Sequence, residues 1–244
     1  MKNIELWCGD CLELMKNIPD KSIDLILADL PYGTTKNKWD SVIPLEELWK
    51  HYKRITKKNS AIVLFGQDKF SAKLMLSNEK WHRYNLIWKK GKRTSGFLNA
   101  RRMPLRNHED ILIFYDKLPT YNPQFREGQP LHGRGSLYKT KDGVNNNYGK
   151  FDSKLEDKRK GSTIKYPISV LEYERPHPPT HPTQKPVALL EYLIKTYTNS
   201  EMLVLDNTMG VGSTMVACKN TNRKGIGIEK EQKYFDIAVK RIND

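Results

Sequence analysis

Met202-Leu203-Val204-Leu205-Asp206-Asn207-Thr208-Met209-Gly210-Val211-Gly212-Ser213-Thr214 is the stretch that decides the fold of this chain. Its first five residues form a short apolar run closed by an acid, as a buried strand would be. The rest opens a helix that continues through Met215-Val216-Ala217-Cys218. Glycines at 210 and 212 let the backbone approach a ligand, and a helix start offers unpaired N–H groups. A second apolar run, Gly225-Ile226-Gly227-Ile228-Glu229, again ends in an acid, placed to hydrogen-bond a ribose diol. Strand, acid, Gly-x-Gly, helix, strand and acid in series follow the logic of nucleoside sites on doubly wound sheets. The third glycine of the dinucleotide fingerprint is missing, so a pyrophosphate is not the expected guest.

The same pattern recurs upstream. Ile23-Asp24-Leu25-Ile26-Leu27-Ala28 runs straight into Asp29-Leu30-Pro31-Tyr32. An acid, a proline and an aromatic at a strand end can hold a flat, amine-bearing ring. The aromatic supplies a stacking face, and the carboxylate and the carbonyl before the rigid proline accept the amine hydrogens. A base inside a duplex would have to be flipped out to reach such a pocket. Read alone, the tetrapeptide is also ordinary turn chemistry. Ile4-Glu5-Leu6-Trp7 leads to Asp10, residues 61–65 form a further buried run, and residues 11–15, 45–52 and 187–197 read as helical. Strands alternating with helices predict an α/β chain with a doubly wound, mostly parallel sheet. Asp10, Asp29, Asp206 and Glu229 would then share the carboxyl rim, where such sheets bind ligands.

These pieces resemble the amino-methyltransferases of DNA that use S-adenosylmethionine, in their beta-type permuted order. The resemblance rests on Gly9-Asp10-Cys11-Leu12-Glu13-Leu14, Asp29-Leu30-Pro31-Tyr32, His108-Glu109-Asp110-Ile111-Leu112-Ile113-Phe114, His181-Pro182-Thr183-Gln184-Lys185-Pro186, and Val204-Leu205-Asp206 with Gly210 and Gly212. It spans nearly the whole chain apart from roughly residues 117–180. Two departures stand out: Leu30 replaces the usual first proline, and Asn207-Thr208 stand where the family usually has Pro-Phe. The resemblance implies a Rossmann-like methyltransferase fold, one domain over 1–244 with an inserted target-recognition region at 89–180. It implies catalytic work by Asp29, the Leu30 carbonyl, Pro31 and Tyr32. Asp10, Thr183, Lys185, Asp206, Gly210, Gly212 and Glu229 would surround S-adenosylmethionine, with Glu229 on the ribose, Asp10 near the adenine, and Thr183 and Lys185 on the methionine carboxylate. A lysine just ahead of a helix is electrostatically disfavoured without an anion nearby, which agrees with a ligand there.

Composition fits that implication. The chain has 244 residues, 42 Lys+Arg against 28 Asp+Glu, a net charge of +14 and a pI of about 9.5. Such an excess favours a polyanionic partner. Residues 89–106 hold seven cations (Lys89, Lys90, Lys92, Arg93, Arg101, Arg102, Arg106) and no acid, which suits phosphate contact. Downstream, Tyr121, Phe125, Tyr138, Tyr148 and Phe151 are interleaved with Lys and Arg in a segment poor in aliphatics, which suits stacking or merely anchored loops. Double-stranded DNA is the expected partner, with room for a homodimer and a cognate restriction enzyme.

Three cysteines, Cys8, Cys11 and Cys218, make no disulfide framework and point to a reducing, cytoplasmic setting. Cys8 and Cys11 have ligand spacing but no completing pair, so no metal is expected. No run is long enough to span a membrane. The absence of a Pro-Cys dipeptide weighs against cytosine ring methylation through a thiolate, and the absence of His-x-Glu against a zinc deaminase. His108 and His181 read as structural. An adenine-N6 methyltransferase is the leading expectation. Cytosine-N4 methylation and a non-catalytic DNA-binding relative stay open beside it.

Overall fold

Strand β2 (Ile23–Ala28) is buried at five of its six positions, as a strand covered on both faces must be. A computed structural model of the chain describes residues 3–33, 40–130, 144–145, 149–150, 161–176 and 184–243. Ahead of β2 come β1 (Ile4–Cys8) and α1 (Cys11–Leu14). After it follow α2 (Leu45–Ile55), β3 (Thr56–Gly66), α3 (Asp68–Ser77), β4 (His82–Lys89) and β5 (His108–Phe114). Four two-residue strands come next: β6 (Arg126–Glu127), β7 (Val144–Asn145), β8 (Gly149–Lys150) and β9 (Ile164–Lys165). The chain then adds β10 (Val170–Glu172), α4 (Val187–Tyr197), β11 (Leu203–Asp206), α5 (Ser213–Asn220), β12 (Lys224–Glu229) and α6 (Gln232–Asn243).

Eight strands form one sheet in the order β1-β12-β11-β2-β3-β5-β4-β10. Every neighbouring pair is parallel except those of β5, which runs antiparallel to both β3 and β4. The expected doubly wound, mostly parallel sheet is therefore present. The reversal of β5 has a consequence for the site. Its amino end, not its carboxyl end, meets the rim that carries Asp29 and Asp206, with His108 opposite Lys89 and Asp110 opposite Gly66.

Side chains alternate along the central strands and build two cores. Leu25, Leu27, Val63, Phe65, Ile111 and Ile113 face α4, α5 and α6 through Leu193, Ile194, Met215 and Ala238. Ile26, Ala28, Ile62, Leu64, Leu112 and Phe114 face α2 and α3 through Leu48, Trp49, Tyr52, Phe70 and Leu74. Each fully buried Val, Leu or Ile among them contributes about 1.5–3 kcal/mol. The chain divides into two compact units, residues 1–122 with 168–244, and residues 123–167. The second unit holds the antiparallel pairs β6–β9 and β7–β8. Of the 89–180 stretch, residues 89, 108–114 and 170–172 thus belong to the main sheet. Tyr138, Tyr148, Phe151, His181 and Thr183 lie outside the described residues.

Helix α2 also reaches the carboxyl rim. The Tyr52 hydroxyl, fully buried, donates to Asn207 Oδ1 at 2.6 Å and so fastens the loop after β11 from below. Tyr52→Phe leaves that buried acceptor without its donor, and urea unfolding should show a loss of about 1–3 kcal/mol. An unchanged midpoint would mean the bond is energetically idle.

Candidate active site

A cavity of about 250 Å³ opens at the carboxyl rim between β2, β11 and β12. Asp10, Asp29, Pro31, Lys185, Asp206, Gly210 and Glu229 line it, together with apolar Val42, Ile43 and Pro44. Acids from four separate strand ends are thus gathered in one cleft, because adjacent parallel strands end at one level. Gly210, at φ 54°, has open space where a side chain would stand, so its backbone faces the cavity. Gly212 serves differently. At φ 77°, an added Cβ would come within 2.9 Å of Ala238 Cβ, so this glycine is needed to admit α6.

Each acid is already held. Asp10 caps α1 by accepting from Leu12 N at 2.9 Å, and Lys230 Nζ lies 3.3 Å away. Burial works against its ionisation, but these two donors outweigh it and hold the carboxyl below its usual range. Glu229 accepts from Gly210 N and Glu231 N, both at 2.8 Å, while burial still raises its carboxyl. Asp206 is 3 % exposed and accepts from Thr208 N at 3.1 Å. Burial pushes its carboxyl up to about 7 in spite of donors from Thr214 and Thr208.

Asp29 sits in a buried chain of alternating charge. Lys185 Nζ donates to its Oδ2, and the Tyr32 hydroxyl donates to Oδ1 at 2.9 Å. The same ammonium lies 3.2 Å from Glu109 Oε2, and Lys90 Nζ lies 2.6 Å from Glu109 Oε1. Lys185 also rests 4.9 Å above the Phe65 ring. Burial raises the Asp29 carboxyl, and the Glu109 charge adds to that shift against the pull of Lys185. Burial acts on Glu109 in the same sense, but its two lysines prevail and keep it low. For Lys185, burial disfavours the ammonium, and the two carboxylates more than restore it.

Several predicted site residues take places that local sequence does not reveal. Lys185 is not a free cation aimed at a ligand, because its ammonium is committed to Asp29 and Glu109. Lys90, expected among the phosphate contacts, is 3 % exposed and ion-paired, so it cannot meet a duplex in this arrangement. Lys92, Arg93, Arg101 and Arg102 are exposed, Lys89 is half-buried beside Glu172, and Arg106 is tied to Gln67 and Asp68 at 2.9 and 3.1 Å. Leu30 is buried in the α2–α3 core, and the Tyr32 ring stacks on Phe70 with centroids 4.7 Å apart. Glu109 belongs to one of the motifs, yet its sequence gives it no task. A signal is present all the same: an acid one residue from a fully apolar strand needs a buried cation. Thr208 is likewise silent in the sequence, and its hydroxyl donates to the Asp29 carbonyl at 3.1 Å.

The model of the N6_N4_Mtase family, described as DNA methylase, matches residues 23–240. The chain belongs to this family. Among similar proteins, the Type II methyltransferase M.HpaI of Haemophilus parainfluenzae is 29% identical over 251 residues, covering 98% of this chain and 74% of its own. M.HinfI of Haemophilus influenzae, also a Type II methyltransferase, is 29% identical over 269 residues, covering 97% and 67%. Two solved structures share the fold of this DNA methylase. The M1.HpyAVI–SAM complex has a TM-score of 0.64 at 24% identity, covering 98% of this chain and 99% of that one. The PvuII cytosine-N4-specific DNA methyltransferase has a TM-score of 0.70 at 15% identity, covering 99% and 87%. Among the described residues of the methylase, no group of His, Cys, Asp and Glu could hold a metal ion, and no helix is long and apolar enough to cross a membrane.

Asp206 gives the methylase a pH dependence whose sign is fixed. A carboxyl raised from 3.8 to about 7 takes up a proton on folding, so stability falls as pH rises across that window. Unfolding of the ligand-free protein by urea at about pH 5 and about pH 8 should show this fall, and Asp206→Asn should lessen it. An equal fall in both proteins would place the titration elsewhere.

Proposed function

We propose that this DNA methylase moves the methyl group of S-adenosylmethionine to the exocyclic N6 amine of an adenine flipped out of duplex DNA, at a specific sequence. The observation that carries this reading is that Asp29 opens onto the same cavity as Gly210, Asp206 and Glu229. A cleft with apolar walls at Val42, Ile43 and Pro44 and carboxylates at Asp10 and Glu229 suits a nucleoside, ring against the walls and diol or amine toward the acids. Glu229, already steadied by two backbone N–H groups, is our assignment for the ribose, and Asp10 lies toward the adenine. When bound, the cofactor supplies an electrophilic methyl group on a sulfonium.

The remaining work falls to the chain. An adenine amine is a poor nucleophile because its lone pair is delocalised into the ring. Asp29 and the Leu30 carbonyl accept its two hydrogens and favour a pyramidal nitrogen with an available lone pair. Lys185 and Tyr32 take one direction on each Asp29 oxygen, and a carboxylate keeps further lone pairs for the amine. They hold the carboxylate still, so that its charge is fixed before charge develops on nitrogen. Pro31 fixes the backbone, and Thr208 braces the Asp29 carbonyl. Tyr32 offers its ring to the base. Asp29, where a serine would favour cytosine, is what leans the reading to adenine by resemblance. The same geometry serves cytosine N4, and a structure that shares this fold belongs to a cytosine-N4 enzyme.

Tritiated methyl transfer to unmodified duplex DNA, with nucleoside analysis of the product, should give N6-methyladenine. Asp29→Ala should lower turnover by at least about 100-fold, the scale of losing a preorganised electrostatic group, while cofactor affinity stays near wild type. N4-methylcytosine as product would overturn the choice of base, and an active Asp29→Ala enzyme would overturn the catalytic assignment.

For DNA engagement we assign Lys89, Lys92, Arg93, Arg101, Arg102 and Arg106, leaving out Lys90. Neutralising Lys92 and Arg93 together should weaken binding to any duplex. The slope of log K against log salt should become shallower by about one unit per lost contact. An unaltered slope would make both residues bystanders.

A further inference from the structure

The hairpin between β4 and β5 stands on the carboxyl rim, because β4 runs parallel to β3 and extends past the level at which β2 ends. Its stem is paired: Ser95 and Arg106 exchange backbone hydrogen bonds at 2.7 and 3.0 Å, and Lys90 N donates to the Asn107 carbonyl at 2.7 Å. Its foot is anchored by the Lys90–Glu109 pair and by Arg106 on Gln67 and Asp68. Its tip is a hydrogen-bonded turn, with Arg102 N and Met103 N donating to the Asn99 carbonyl at 2.8 and 3.0 Å. That turn presents Phe97 at 81 % and Leu98 at 93 % exposure, with Met103 and Leu105 also exposed. A folded chain gains nothing by ordering a loop that holds a phenyl ring and an isobutyl group in water. These side chains are built to be buried in something else.

The charges around them say what that is. Lys92, Arg93, Arg101 and Arg102 are exposed on the same hairpin, and residues 89–106 contain no acid. A second copy of so basic a tip would be repelled, whereas a polyanion is drawn to it. An apolar pair framed by cations is the arrangement by which proteins enter a base stack, the cations gripping phosphates while the apolar side chains part the bases. We infer that Phe97 and Leu98 form a wedge that enters the base stack of duplex DNA and fills the place left by the flipped target. The inference rests on the function proposed above and adds to it the device that opens the duplex.

The test uses Phe97→Ala/Leu98→Ala in the full chain. The sequence methylated by the wild type is first mapped, then built into two synthetic duplexes, one fully matched and one with an abasic site opposite the target base. On the matched duplex the double variant should lose about tenfold or more in kcat/KM, since it must open the stack unaided. On the abasic-opposed duplex, where the target leaves the stack freely, it should approach wild-type rates, with cofactor affinity and melting temperature unchanged. Asp29→Ala should stay inactive on both, which separates opening from chemistry. Equal losses on the two duplexes, or no loss on either, would overturn the wedge while the wild type still methylates DNA. A double variant whose sedimentation differs from the wild type would reassign the patch to contact between copies and overturn the wedge as well. A wild type that methylates no DNA would overturn the underlying reading instead, and the wedge with it.

Discussion

Two lysines and two carboxylates largely withdrawn from water hold the carboxyl rim together. Lys90, Glu109, Lys185 and Asp29 alternate in charge and come from four places in the chain: the end of β4, the start of β5, the approach to α4, and the end of β2. None can be removed cheaply, because each deletion leaves an uncompensated buried charge. The arrangement needs β5 to run against its neighbours. A parallel strand there would have carried Glu109 to the opposite edge of the sheet and left Lys185 with a single partner. The antiparallel course of β5 within the main sheet is thus what allows Asp29 to be paired, oriented and still open to the cavity.

Much of this was legible in the sequence, for a reason that can be named. Strand-end acids such as Asp206 and Glu229 are read from local pattern alone, because a fully buried parallel strand is a bare apolar run and its last residue is where polarity returns. Helix α4 is legible to the residue from its apolar periodicity. What could not be read were partnerships between distant segments. Lys185 before a helix suggests an anion, and the anions are the protein's own carboxylates. Lys90 lies in a basic run like its neighbours, and only the sheet register shows that it turns inward toward Glu109. The extents of β3 and β5 also exceed what the sequence suggests: Thr56 pairs with Ile23 ahead of a break in register, and the polar residues 108–110 are strand by pairing and not by composition.

The two departures from the family pattern have physical accounts. Leu30 is packed in the α2–α3 core, and the proposed chemistry uses only its carbonyl, which any residue would supply. Asn207 and Thr208 trade packing for hydrogen bonds: one accepts from Tyr52 below, and the other braces the Asp29 carbonyl beside it. The loop after β11 is thereby keyed to both α2 and the end of β2. Where the family usually has Pro-Phe, this chain places a polar clasp.

The strand order carries a consequence for how the molecule comes into being. β1 and β2 are consecutive in the chain, yet β12 and β11 lie between them in the sheet. During synthesis the amino-terminal strands therefore have nothing to pair with on their facing edges until residues 203–229 have emerged. Pairings spanning so much of the chain are slow to form, because loop closure must precede any reward. The carboxylate at the end of β2 is made early, but the cleft it serves exists only once that late unit of strand, helix and strand slides between the first two strands. An unfinished chain carries that carboxylate with no cleft around it.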